Sequence, residues 1–332
     1  MPVKNNPLFA AIPAGPADTA LSCFLTENRK QFSDVGRIAV AYSGGADSTA
    51  LLLAAARHWP DKVIALHVHH GLQDAADAFW QHCQQQCEAW HIPLFEQHVD
   101  ARHLPGESPE DAARVHRYRA LANMAHQQHA DCVLLAQHAD DQVETLILAL
   151  SRGAGLPGLA CMPAVFERHG VCFARPLLSV GGEALRNWLS EQNIIWTEDP
   201  TNQDRRYIRN RIRLDVLPAI AKAFPEYRQT FARSATHAAH AQALLSELAE
   251  QDLQMTGNPP DIKALQNLST ARQANALRYW LKQFHHTAAS TRQLEELLRQ
   301  IAACQTRGHS IHLKIGHGVV VRNNAVLQYR PQ

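Results

Sequence analysis

No Cys-x-x-Cys pair occurs in this chain: its seven cysteines are scattered, and the nearest approach is Cys83 to Cys87. That argues against a zinc ribbon, an iron–sulfur site or a disulfide scaffold, and for a reducing compartment, the cytoplasm. No apolar run approaches the roughly twenty residues of a membrane span, so no membrane partner is expected. The N-terminus carries Pro2, Pro7, Pro13 and Pro16 with one lysine but lacks the apolar core of a signal peptide. Residues 1–22 are expected to form a loose leader. Net charge is also missing, at +1, so any phosphate or nucleic-acid site must come from local clustering.

What is present is an alternation. The segments 37–43, 62–70, 93–99 and 132–137 are β-rich, and helical compositions separate them at 48–59, 77–91 and 109–129, with another at 141–153. Such alternation predicts an α/β fold with a doubly wound parallel sheet covered on both faces. Composition then changes. An Arg-rich stretch at 205–220 leads into a long amphipathic helix over 227–251. Further helices follow, one opened by the capping-box pattern Ser290-x-x-Gln293, and a terminal β-hairpin is expected over 310–329 with Asn323-Asn324 near its turn. The expected domains are a catalytic domain over 23–218 and a smaller, mostly helical, substrate-binding domain over 225–332.

The first chemical signal is "RIAVAYSGGADSTALLLAAA" at 37–56. A strand ending in Ser43-Gly44-Gly45 and feeding a helix presents free backbone N–H groups at the helix N-terminus, where the dipole favours anions. This is a phosphate cradle without a Walker A lysine before Ser48, and its adjacent glycines do not fit the dinucleotide fingerprint. Asp47 stands where phosphate would approach, which is repulsive unless a metal or a cationic substrate intervenes. Gly153-Ala-Gly155-Leu-Pro-Gly158 does match G-x-G-x-x-G, but it follows a helix and contains Pro157, so it reads as a helix-terminal turn.

The second signal, "QHADDQVET" at 137–145, follows the fourth strand and should face the same crevice. Asp141 and Glu144 share one helical face and could hold Mg²⁺ or engage the exocyclic amine of a base, although acids at a helix start also serve its dipole. The third is the run Arg205, Arg206, Arg209, Arg211 and Arg213, interleaved with Tyr207 and Asn210. It suits contacts to a polyanion, with Asp199, Asp204 and Asp215 available as salt-bridge partners for some of its members.

With these segments the chain resembles the N-type ATP pyrophosphatases of the PP-loop superfamily, whose signature is S-G-G-x-D-S. The resemblance runs from about Arg37 to near the end. "SGGADS" is similar to the pyrophosphate loop, "HVHHGLQ" (67–73) to a His-Val-Asn-His-Gly-Leu-Arg segment, and "DAARVHRYRAL" (111–121) to a helix of the tRNA-modifying members. "HADDQVETLILALSRGAGLPGLACM" and "NQDRRYIRNRIRLDVLP" are the most specific matches. His69, Gln73 and Gln137 depart from the usual Asn, Arg and His. The chain also ends soon after the middle domain, where longer members continue, so a short form or a truncation is expected.

The resemblance implies a two-step ligation. ATP would lie with its phosphates on Ser43, Gly44, Gly45, Ala46, Asp47 and Ser48, with Mg²⁺. The C2 oxygen of the wobble cytidine of tRNA(Ile) with a CAU anticodon would attack the α-phosphate, and the ε-amine of free L-lysine would then displace AMP. Asp47 would bind the metal or orient the amine. Asp141 and Glu144 would engage the base or assist proton removal, and Arg114, Arg209 and Arg213 would hold the anticodon loop. A homodimer is admitted. The rivals are a cytidine or uridine thiolase, a non-catalytic RNA-binding protein and a small-molecule amidoligase. The first needs sulfur-handling cysteines, the second has no use for Asp47 with Asp141 and Glu144, and the third leaves the arginines unexplained.

Overall fold

The computed structural model describes residues 12–69, 75–99, 109–306 and 308–331, so His70–Gln73 of the "HVHHGLQ" segment lie outside the described residues. The chain divides into two compact units, Met1–Thr236 and His237–Gln332.

The first unit is built on a six-stranded sheet of β1 (Ile38–Ala41), β2 (Val63–His69), β3 (Leu94–His98), β4 (Cys132–Leu134), β5 (Val165–Arg168) and β6 (Val171–Ala174), in the order β3-β2-β1-β4-β6-β5. All neighbours are parallel except β5, which pairs antiparallel with β6. Ile38, Ala39 and Val40 are fully buried, as a central strand covered on both faces must be. The expected strands and helices lie within a few residues of their sequence assignments, but the β5–β6 pair was not foreseen. Its turn is His169-Gly170, both with positive φ (52° and 71°), the backbone of a tight hairpin without the usual Asn-Gly signal.

The strand order reverses between β1 and β4, and open parallel sheets bind ligands at that switch point. The longer helices of this unit, in chain order up to residue 191, are α1 (Pro16–Glu27), α2 (Ala46–His58), α3 (Ala75–Trp90), α4 (Pro109–Gln127), α5 (Ala139–Ser151) and α6 (Gly182–Glu191). Helix α1 begins inside the expected leader. Ala17, Ala20, Leu21 and Phe24 are buried in the main core, so the chain is anchored from Pro16 and not from residue 23.

After α6 come α7 (Ile208–Arg211), a π-turn over Ile212–Val216 and α8 (Leu217–Ala223). Pro218 has no N–H to continue an α-helical ladder, and the wider turn immediately before it absorbs that loss. Helix α9 (Tyr227–Thr256) starts within the first unit. Tyr227 is 1% exposed and packs with Val143, Leu148, Ile212 and Leu217. That packing moves the division to Thr236/His237, beyond the expected 218–225.

The second unit holds the end of α9, α10 (Ile262–Gln266), α11 (Thr270–His285), α12 (Thr291–Ala303) and an antiparallel sheet of β7 (His312–Ile315), β8 (Gly318–Asn323) and β9 (Val326–Pro331). The expected hairpin is thus a three-stranded meander. Asn324, at φ 55°, takes the second turn as anticipated, and Gly316, at φ 58°, takes the first. Leu265, Leu277, Trp280, Leu281, Leu297 and Val320 form its core. Ser290 caps α12 by accepting from Gln293 N at 3.3 Å, and Gln293 Oε1 accepts from Ser290 N at 2.9 Å.

Candidate active site

The turn after β1 is shaped by Gly44. Its φ is +80°, and a Cβ there would lie 3.0 Å from both Cys83 Sγ and Thr197 Oγ1. Only glycine meets both demands without strain. Thr197 N donates to Gly44 O at 2.9 Å and fixes the turn from the segment after α6. Ser43 and Ser48 close it, their hydroxyls 3.1 Å apart and Ser48 Oγ donating to Gly45 O at 2.9 Å. Gly45 is the N-cap of α2 and supplies no side chain, so the first-turn N–H groups lack a side-chain acceptor from the cap. That leaves an anion-binding end open toward the crevice.

Asp47 lies in this first turn, its side chain 31% exposed. Its Oδ2 is 3.5 Å from His138 Nε2, while its buried Oδ1 has no hydrogen-bond partner. His138 comes from the loop after β4 and is the N-cap of α5. Its Nε2 is 3.6 Å from Asp141 Oδ2, and its Nδ1 is 3.7 Å from Asp140 Oδ2. Burial opposes charging of this imidazole. The hydrogen bond to Asp47 and the charges of Asp141, Asp47 and Asp140 outweigh that burial, and the pKa is pushed up to about 9. The loops after β1 and β4 therefore meet through one charged histidine that carries an acid of each on the same nitrogen. The sequence reading passed over His138, whose signal was a histidine directly followed by acids two and three residues on.

Asp140 is spent on structure. Its carboxylate accepts from Gly182 N at 2.9 Å, Tyr227 OH at 3.0 Å and Arg228 Nε at 2.5 Å. It ties the starts of α5, α6 and α9 together. Burial raises its pKa, but the Gly182 N–H, the Arg228 guanidinium and the charge of His138 hold it below the usual carboxylate range. Asp141 Oδ2 also accepts from His138 N at 2.9 Å, which aims its other oxygen away from the helix start.

Glu144 is fully buried. Arg213 Nε donates to its Oε1 at 2.8 Å, and an Arg209 nitrogen stands 3.7 Å from its Oε2. Burial raises the Glu144 pKa, and the two arginines pull against it. Arg213 also reaches Asp141 Oδ1 at 3.5 Å. Arg209 and Arg213 are the members of the run expected at tRNA, with ion pairs expected for their neighbours. In the structure both find a carboxylate inside the site, and the π-turn carries Arg213 toward it. Arg205 pairs with Asp215 at 3.0 Å and Arg206 with Asp204 at 2.6 Å, each on the surface. Arg114 is exposed on α4, its guanidinium 5.7 Å from the Tyr118 ring centre. Gln137 does not face the crevice alone: its Oε1 accepts from Arg175 Nε at 2.9 Å.

The geometry defines a pyrophosphate-loop nucleotide site at the switch point of a parallel sheet. Residues 19–220 match the model of the PP-loop domain, and residues 261–327 match that of the TilS substrate binding domain. The chain is 60% identical over 292 residues to the tRNA(Ile)-lysidine synthase of Polaromonas naphthalenivorans, covering 88% of this chain and 89% of that protein. It is 43% identical over 279 residues to the enzyme of the same name from Burkholderia mallei, but spans only 56% of that protein's length. The U34-tRNA thiolase NcsA of Methanococcus maripaludis, with its [4Fe-4S] cluster, shares the fold at a TM-score of 0.53 and 15% identity, over 65% of this chain and 80% of that one. The chain belongs to the tRNA(Ile)-lysidine synthase family. No helix among the described residues is long and apolar enough to cross a membrane.

Proposed function

We propose that the protein joins free lysine to C2 of the wobble cytidine of tRNA(Ile) in an ATP-dependent ligation that releases AMP and pyrophosphate. The observation that carries this reading is Asp47, with a buried, unpartnered carboxylate oxygen in an uncapped first helical turn, held opposite Asp141 by His138. The matched PP-loop and substrate-binding segments support it over a thiolase. So does the absence of any Cys-x-x-Cys pair.

In the first step the cytidine C2 oxygen attacks the α-phosphate and pyrophosphate departs. The Ser43–Ser48 turn and the α2 N-terminus bind the phosphates and stabilise the leaving charge. A divalent cation fits here: Asp47 Oδ1 is a hard oxygen donor, buried and without a partner, beside the phosphate-binding turn. Asp47 would hold Mg²⁺, which when bound neutralises charge on the phosphates. In the second step the lysine amine attacks C2 of the adenylated base, AMP leaves and the amine loses a proton. Asp141 would orient the ammonium group and take that proton. Glu144, locked by Arg213, is a positioning residue that fixes the guanidinium beside Asp141. Exposed Arg114 serves the tRNA backbone, and the reading places the enzyme in the cytoplasm, where its substrates are.

The test is incorporation of radiolabelled lysine into unmodified tRNA(Ile) with a CAU anticodon, with and without ATP, and with the nucleotide products separated. AMP and pyrophosphate are expected, together with label in the tRNA. Asp47→Ala is expected to lose both while keeping its circular dichroism spectrum, because Asp47 lies in a turn outside the core. ADP and orthophosphate as products, or full activity in Asp47→Ala, would overturn the reading.

A further inference from the structure

Outside the nucleotide site, the carboxyl ends of β2 and β3 bring together His69, Glu96 and His98. The parallel register sets His69 directly beside His98. Glu96 is two residues before His98 on the edge strand, so both side chains leave the same face of β3. One donor atom from each of the three lies within 4.8 Å of the others. His98 Nε2 is 3.0 Å from Glu96 Oε1, and the rings of His69 and His98 have centroids 4.4 Å apart. In a tetrahedral site with bonds of about 2.0–2.1 Å, neighbouring ligand atoms are about 3.3 Å apart. The Glu96–His98 separation already has that scale, and a ring nitrogen of His69 lies within 4.8 Å of both partners.

We propose that His69, Glu96 and His98 form a transition-metal site of the Zn²⁺ class. Two imidazoles and one carboxylate suit zinc and its neighbours, whereas Mg²⁺ demands oxygen donors, so this site does not compete for the catalytic cation. His69 is buried and the Glu96 side chain is 18% exposed, giving the site a rigid floor. The His98 side chain is 70% exposed, which leaves an entry path and room for a water as fourth ligand. β3 is an edge strand whose one strand neighbour among the described residues is β2. An ion shared between the two strands pins that edge where the sheet approaches the crevice. His69 is a feature of this chain, standing where the resembling segment commonly has Asn.

Zn²⁺ titration of the full-length protein in excess Mg²⁺ tests this, with Co²⁺ as a spectroscopic probe. One equivalent of Zn²⁺ that Mg²⁺ does not displace is expected, with visible Co²⁺ bands of a low-coordinate nitrogen–oxygen site. His98→Ala and Glu96→Gln, both partly exposed and tolerant of change, should weaken binding by roughly tenfold or more, the scale even of a metal's outer partners. His69→Asn should do the same where it folds. His240→Ala, on α9, should change nothing. Zn²⁺ should raise the melting temperature of the wild type and not that of His98→Ala. Equal Zn²⁺ binding by wild type and both exposed variants, or displacement by Mg²⁺, would overturn the proposal. The three side chains would then be a Glu96–His98 contact beside the tilted His69 ring.

Discussion

Arg213 Nε donates to Glu144 Oε1 at 2.8 Å, joining a π-turn to a carboxylate with no solvent exposure. A buried carboxylate that loses its cation is costly, while removing both charges costs less. Arg213→Ala is therefore expected to lower stability on the order of 3 kcal/mol. Adding Glu144→Gln to it should recover part of that loss, with a coupling energy of roughly 0.5–3 kcal/mol. Urea unfolding of the four proteins of the cycle measures it. Strictly additive losses would show that the pair does not hold the π-turn.

The same pairing changes what salt dependence should reveal about tRNA binding. Removing a side chain that neutralises one phosphate reduces the slope of log K against log salt by about 0.7–0.9. Arg114 is exposed on α4, so Arg114→Ala should show that reduction. Arg213→Ala should shift the slope by less, because its guanidinium is engaged by Glu144 and Asp141. Filter binding over a range of salt concentrations decides it, and a full-sized reduction in Arg213→Ala alone would reverse the assignment.

The parts of the fold and site that could be read in the sequence were those written in local patterns. Four strands and their helices follow from apolar runs broken by Gly and Pro, and Ser43–Ser48 follows from a strand ending in two glycines. The β5–β6 hairpin escaped because Val165–Arg168 is a short, half-exposed edge whose turn is His-Gly. Helix α1 escaped because the prolines before it suggested a loose leader, although Pro16 merely begins the helix. The His138–Asp47 contact and the Glu144–Arg213 pair join residues 69 or more positions apart, which no local pattern records.

Gln137 gains a role from the structure. Arg175 is 2% exposed, and its guanidinium donates to Gln137 Oε1, Pro163 O and Tyr118 OH at 2.9, 2.7 and 3.0 Å, 4.2 Å from the Phe166 ring centre. Burial lowers the pKa of this arginine, so each acceptor matters. Gln137→Ala should cost about 1–3 kcal/mol by leaving a buried donor unmet. It should leave the KM for tRNA little changed. Thermal unfolding and steady-state kinetics separate the two effects, and a large rise in KM with unchanged stability would make Gln137 a substrate contact.

Gly44 and Gly45 are adjacent and have the same side chain, but the backbone asks different things of them. Gly44 has φ +80°, and a Cβ would meet Cys83 Sγ and Thr197 Oγ1 at 3.0 Å. Gly45 has φ −76°, ordinary for any residue, and a Cβ there would meet only Ser43 Oγ at 3.4 Å and Thr197 O at 3.8 Å. Gly44→Ala therefore has to accept a disfavoured backbone and push aside the segment that holds Gly44 O. A loss of roughly 1–3 kcal/mol is expected, with the turn displaced from its phosphate-binding shape. Gly45→Ala should fold with stability within about 1 kcal/mol of wild type. Any defect it shows should then appear in the KM for ATP, where a methyl group would stand near the phosphates. Chemical denaturation and ATP titration of both variants measure these outcomes. Equal stability of the two would mean that the left-handed turn at Gly44 is not what shapes the loop.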